Sequence, residues 1–322
     1  MNQYDEKSIQ KIKEKLTLFH AKDFVTPILM IFLSLGFVVL SLLFIQISKS
    51  TLEWGLGIFL LSLSLLRLFM IFHDLCHKNY FPSDERETKT RKNNFQMAEM
   101  LEFLNLYSAD GWEQGHSSHH KAHGNLNLND GSRLVLSDDE YNKLPLYQQW
   151  LYSIFRFPLL FFFIAPIYIF WIRRFVDGDW VYLLKYGLFL FLLFCIGKRL
   201  GLSFLLAQYL TGIIGLSLFH LQHQVNIGYL HPFDLNDHVS KANAELLGAS
   251  VLTIPFFFNV FTNGIEYHNI HHIDPGVPSY NIRHAYEQLV KDGDIPDKKI
   301  GYSQAFFSLF HTKYNNKTGL YY

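Results

Sequence analysis

The stretch FVTPILMIFLSLGFVVLSLLFIQIS, residues 24–48, contains no charged side chain. As a helix rising ~1.5 Å per residue it reaches past a ~30 Å hydrocarbon core, so it reads as a membrane span. It is too long for the apolar core of a secretion signal, and the mixed-charge leader before it lacks a signal's flanks. Working outward, residues 54–72 form a second apolar block with one arginine, Arg67, expected to snorkel toward the near end of its helix. Residues 180–197 and 200–219 form another pair, joined by a tight turn at Lys198 and Arg199. Two further blocks are interrupted. Residues 157–172 make only ~24 Å of helix and contain Pro158 and Pro166, and 246–265 is broken by Pro255 and Asn259. Both read as interfacial or re-entrant.

These blocks predict an all-α polytopic membrane protein with about four transmembrane helices, added interfacial helices and a cytoplasmic helical cap. The expected order is a cytoplasmic segment 1–23, a first transmembrane pair 24–72 and a cytoplasmic stretch 73–150. An interfacial or re-entrant stretch 151–176, a second pair 180–219 and a cytoplasmic stretch 220–322 follow. The composition narrows the function. With 28 basic and 28 acidic side chains the chain lacks the basic footprint of a nucleic-acid binder. Two cysteines, Cys76 and Cys195, exclude a disulfide framework, a Cys-ligated zinc module and an iron–sulfur cluster held by this chain. No Gly-rich phosphate loop and no internal repeat is visible.

The unusual residue is histidine, with 16 in 322. Eleven lie in four short groups: HDLCH (His73, His77), HSSHHKAH (His116, His119, His120, His123), FHLQH (His220, His223) and EYHNIHH (His268, His271, His272). Neighbouring members are mostly three or four residues apart, so on a helix each group lies along one face. The pattern HxxHH is expected by chance roughly 0.04 times in such a chain, and it occurs twice. His20, His231, His238, His284 and His311 stand alone and are read as structural.

Position adds to spacing. His73 follows directly on the second apolar block and His220 on the block 200–219. Two groups therefore sit where a spanning helix leaves the bilayer. For all four groups to share one side, an even number of spans must separate residue 73 from residue 220. The pair 180–197 and 200–219 satisfies this if 157–172 does not cross. The positive-inside rule agrees for the Lys-rich leader and for Arg91 and Lys92, and disagrees for Lys198 and Arg199.

Neutral imidazole suits iron, zinc, copper or nickel. Eleven candidates exceed one zinc site, which takes three or four ligands, and suit two metals of higher coordination number. Soluble di-iron bundles use Glu-x-x-His on two helices with further carboxylates, whereas here only Glu113 and His116 have that spacing. Asp74, Glu113, Gln222, Glu266 and Asn269 are placed to orient the rings.

The order HxxxH, HxxHH, HxxHH, with apolar helices between the first box and the third, resembles the integral-membrane fatty acid desaturases, with the acyl-lipid branch closest. HDLCHKNYF resembles that family's first box, WEQGHSSHHKAHGNLN its second, FHLQHQ the segment before its last box and NGIEYHNIHHIDPGVPSYNI the last box itself. The resemblance implies two iron ions held by His73, His77, His116, His119, His120, His223, His268, His271 and His272. It implies O2 as co-substrate, an external electron donor (ferredoxin or cytochrome b5), and a cis double bond formed in a fatty acyl lipid. The chain departs from the family pattern at Cys76, His123, His220 and Asn226, so His123 and His220 are expected beside the metals rather than on them. HPFD at 231–234 is not the haem-binding H-P-G-G, so no fused cytochrome b5 module is expected. Sister hydroxylases or ketolases share such boxes. A membrane metal transporter would spread its ligands along a pathway at bilayer depth rather than at helix ends.

Overall fold

The computed structural model describes residues 3–82, 88–105, 107–125, 128, 135–224 and 233–322; Asn226 and His231 lie outside them. After an amphipathic helix, α1 (Glu6–Leu16), the uncharged stretch becomes α2 (Val25–Ile47), which antiparallel α3 (Thr51–Cys76) follows. The turn between them is fixed by a capping box. Ser50 Oγ accepts from Glu53 N, and the Glu53 carboxylate accepts from Ser50 N. The two helices approach closely because Gly57 has no side chain; a Cβ there would stand 2.6 Å from the Ile45 side chain. Phe32, Leu40, Leu43 and Ile47 of α2 face outward, as a helix bathed in lipid requires.

The chain continues through α4 (Thr88–Leu101), α5 (Ala109–Ala122), α6 (Asp138–Lys143), α7 (Leu146–Phe155), α8 (Pro158–Ile167) and α9 (Arg173–Asp177). A second long hairpin follows, α10 (Trp180–Ile196) and α11 (Lys198–His223). The remaining helices are α12 (His238–Gly248), α13 (Asn259–Thr262), α14 (His268–Ile273), α15 (Ser279–Lys291) and α16 (Tyr302–Ser308). A small sheet ties the C-terminus down. β1 (Leu136–Ser137) pairs in parallel with β2 (Lys313–Asn315), which pairs antiparallel with β3 (Leu320–Tyr321).

The two hairpins stand side by side with their turns at one end. Arg199 donates to Ser48 O (2.8 Å) and Ser48 Oγ (2.7 Å), and Trp54 Nε1 donates to Ser203 Oγ (2.8 Å). Their other ends carry the histidines. There the start of α10 is tied to the segment ahead of α5 by the Tyr182 hydroxyl on Asn105 O (2.9 Å) and by Lys185 on Glu102 (2.6 Å).

Four described helices are long and apolar enough to cross a membrane: Val25–Ile47, Thr51–Cys76, Pro158–Asp177 and Lys198–His223. Trp180–Ile196 is apolar but has 17 residues. Length alone therefore exchanges one helix of the expected four. The physical reason is that the helix begun at Pro158 does not stop where the apolar block does. It passes Pro166 through a π turn at Tyr168–Ile172 and runs into the charged α9. Its contacts show where both ends lie. Phe162 near its start packs on His220 (ring centroids 5.5 Å), and Arg174 near its finish stacks on Tyr107 (4.1 Å) and pairs with Asp179 (3.0 Å). Both ends are thus at the histidine end of the hairpins.

Arg67 corrects a second expectation. It does not reach for the surface. Its Nε donates to Ser34 Oγ (2.8 Å) and its Nη1 to the carbonyl of Val260 in the α13 turn. That carbonyl lies in the last turn of a short helix, where a cation is favoured. Phe258 meets Phe59 and Phe261 meets Phe37, so the segment 256–262 dips between α2 and α3. It returns through two left-handed residues, Asn263 (φ 51°) and Gly264 (φ 89°). A Cβ on Gly264 would also strike Ser279 O at 2.6 Å.

Candidate metal centre

Four helix ends converge. His73 and His77 close α3, His116, His119 and His120 line α5 with His123 at its C-cap, His223 ends α11, and α14 carries His268, His271 and His272. The ligand nitrogens of His73, His77, His116 and His271 lie within 4.8 Å of one another. Those of His119, His123, His223 and His272 form a second group within the same limit. His120 stands against the first group, with Nε2 3.1 Å from His116 and 3.0 Å from His271. His268 stands against the second, with Nε2 3.0 Å from His223 and 3.1 Å from His272.

All nine expected ligands are therefore brought together, and His123 joins them. His220 is turned away. Its Nε2 donates to Ser308 O at 2.8 Å, which fastens α16 to α11. The signal for His123 was present in its spacing, four residues after His119 and three after His120 on one face.

Hydrogen bonds alone do not explain this packing. His116 Nε2 lies 2.9 Å from His73 Nε2, 3.1 Å from His120 Nε2 and 3.5 Å from His271 Nε2. One imidazole nitrogen offers either one proton or one lone pair, so it cannot serve three nitrogen neighbours. A shared cation can. An imidazole–metal bond of about 2.1 Å, the length seen at zinc, puts right-angle ligands about 3.0 Å apart. His77 Nε2 is buried without a hydrogen-bond partner, which leaves its lone pair for a metal. The residues present fit two metal ions.

Burial, reinforced by the neighbouring imidazoles, holds His77, His116, His120, His268, His271 and His272 well below the usual histidine pKa. They are neutral near pH 7, the form that binds metals. Of the five residues expected to orient the rings, Asp74 does so. Its Oδ1 is 3.0 Å from His73 Nδ1, which fixes Nε2 as the free nitrogen, and its Oδ2 accepts from Ser279 N (2.7 Å). The other four bond elsewhere. Glu113 pairs with Lys78, Gln222 donates to Ile265 O (3.0 Å), Glu266 accepts from the Thr262 hydroxyl (2.8 Å), and Asn269 accepts from Ile270 N (2.9 Å). Trp112, which opens the WEQGHSSHHKAHGNLN stretch, stacks on His116 with centroids 5.0 Å apart and completes the wall.

The family model for fatty acid desaturases matches residues 52–306, which spans α3 to α16 and all four histidine groups. The chain belongs to the fatty acid desaturase family. Membership makes the protein an oxidoreductase of the desaturase type, active in lipid metabolism and integral to a membrane. It is 29% identical over 245 residues to a fatty acid desaturase of Bacillus subtilis (strain 168), covering 72% of this chain and 67% of that one. A chloroplastic omega-6 fatty acid desaturase of Glycine max is 25% identical over 69% of this chain, and the match spans about half (52%) of the plant protein. An sn-1 acyl-lipid omega-3 desaturase (ferredoxin) of Synechocystis sp. (strain ATCC 27184 / PCC 6803 / Kazusa) is 26% identical over 79% of this desaturase and 74% of its own length.

Proposed function

We propose that this desaturase introduces a cis double bond into the acyl chain of a membrane lipid, using two iron ions and O2. The observation that carries the reading is the pair of histidine groups, two neighbouring nitrogen-rich sites at the ends of apolar helices. His73, His77, His116, His120 and His271 would hold one iron, and His119, His123, His223, His268 and His272 the other. Bound iron would supply the oxidising power to activate O2 and remove two hydrogens from a methylene pair. The chain's own residues do the rest. Asp74 holds the His73 tautomer, Trp112 fixes the His116 ring, and buried surroundings keep the imidazoles unprotonated.

In this reading α2, α3, α10 and α11 cross the membrane, while α8 and α9 lie along the histidine side. Contacts of Phe162 and Arg174 at that side support the placement, and 17 residues give α10 about 26 Å, close to a hydrocarbon core. The histidine side would be cytoplasmic, as the Lys-rich leader favours. Lys198 and Arg199 then face outward, and Arg199 has a local task there in clamping Ser48. Electrons would come from an external donor, ferredoxin or cytochrome b5; a ferredoxin is named for the Synechocystis relative.

The test is to express the chain beside His271→Ala in a host supplying both donors, and to profile lipid acyl chains by mass spectrometry. A new double bond made only by the intact chain is the expected result. A hydroxylated or oxo product would move the assignment to the sister enzymes.

A further inference from the structure

Outside the histidine groups a buried cation lies at the end of α7. Arg156 follows α7 and is 6% exposed. Its Nη2 donates to His311 O at 3.3 Å, and its guanidinium lies 3.9 Å over the Phe161 ring. Its Nε and Nη1 are buried with no hydrogen-bond partner. The Tyr152 hydroxyl accepts from Leu136 N (2.8 Å), donates to Thr312 O (2.6 Å) and turns its remaining lone pair toward the guanidinium as a neutral, uncharged neighbour. Among the described residues no carboxylate forms an ion pair with Arg156. Buried guanidinium groups are ordinarily paired, and the fork geometry of this one matches a phosphate or carboxylate.

Its surroundings say where an anion would come from. Arg156 sits at the seam of two helices that turn aromatic rows outward: Tyr147, Trp150 and Phe155 on α7, and Tyr302, Phe306 and Phe307 on α16. Rows of exposed Trp, Tyr and Phe are the mark of the membrane–water interface, where lipid phosphates lie. The seam also leads to the metal centre. Next to Phe161, Phe162 packs on His220, one helical turn before His223.

We propose that Arg156 binds the headgroup phosphate of the substrate lipid and so holds its acyl chain at the entrance to the histidine groups. The assignment rests on the acyl-lipid reading above. Nη1 together with the second N–H of Nη2 offers two parallel donors to phosphate oxygens. The seam between α7 and the residues after α16 must part to admit them, since Nε and Nη1 are enclosed.

The experiment measures binding, not turnover. Full-length, iron-loaded protein in uncharged detergent is titrated with a lysophosphatidylglycerol and with a monoacylglycerol bearing the same acyl chain. The lysophospholipid is expected to bind about tenfold more tightly or better. That preference should vanish in Arg156→Gln and survive in part in Arg156→Lys, with iron content unchanged in both. Equal binding of the two lipids by the unaltered protein overturns the proposal, whether or not the Gln variant folds. So does a preference retained in Arg156→Gln. Displacement of the lysophospholipid by inorganic phosphate at matching concentration would make this a free-phosphate site and overturn the lipid assignment. A protein that shows the preference yet makes no double bond would refute the desaturase reading and leave the headgroup site standing.

Discussion

The end of α5 and the end of α11 each carry a histidine beyond the nine read as ligands, and the two part company. His123 closes α5 where the chain leaves the helix, and its ring stacks on His272 with centroids 4.0 Å apart. His220 lies one turn inside α11, on the face that also carries His223, yet its ring is taken by Ser308 O of α16. Spacing along a helix puts both beside a ligand. What separates them is a neighbour 88 residues away that spacing does not encode.

Removing each ring in turn separates a metal ligand from a structural histidine. The largest effect is expected from His123→Ala. It should lose the metal of the second group while keeping that of the first, with activity lowered about 100-fold or more; iron content and product analysis check both. His220→Ala should keep both metals. Its cost should appear as stability, about 1–3 kcal/mol for a buried carbonyl left without its donor, read from thermal or denaturant melts. If His220→Ala loses iron as His123→Ala does, the division of the two ends is wrong.

An effect of similar size to that of His220→Ala, confined to stability and visible only at high pH, lies away from both ends, at Glu245 on α12. Burial pushes its carboxyl up to about 7, against a nearby Lys241. The folded state then keeps a proton that the unfolded chain gives up near pH 4.5. Stability attributable to this group therefore falls as pH rises from about 4.5 to 7 and stays at its lowest above that. Glu245→Gln should be more stable than the parent at pH 8, on the order of 2–3 kcal/mol, and no different below pH 4.5. Melts at the two pH values decide it.

Much of this was legible in the sequence, for identifiable reasons. Apolar runs of spanning length gave α2, α3 and α11, and three- and four-residue spacings put each histidine group on one face. His123 was legible by that same spacing, but the resemblance, which has another residue type there, argued the other way. The extent of the helix from Pro158 was not legible, because Arg173 and Arg174 end the apolar pattern while the backbone continues. Nor was the fate of Arg67. A hydroxyl on α2 and a carbonyl from residue 260 satisfy it inside the bundle, and only the folded chain brings those together. Glu113, Gln222, Glu266 and Asn269 were plausible partners for the rings by proximity in sequence, and each found a closer one.

Interleaved histidines from four helix ends would build two separate metal sites. Counting iron per chain in the purified parent, His271→Ala and His272→Ala tests this most directly, because these adjacent residues belong to different groups. Two irons in the parent and one in each variant are predicted. A parent that holds a single iron, or variants that both retain two, would contradict it.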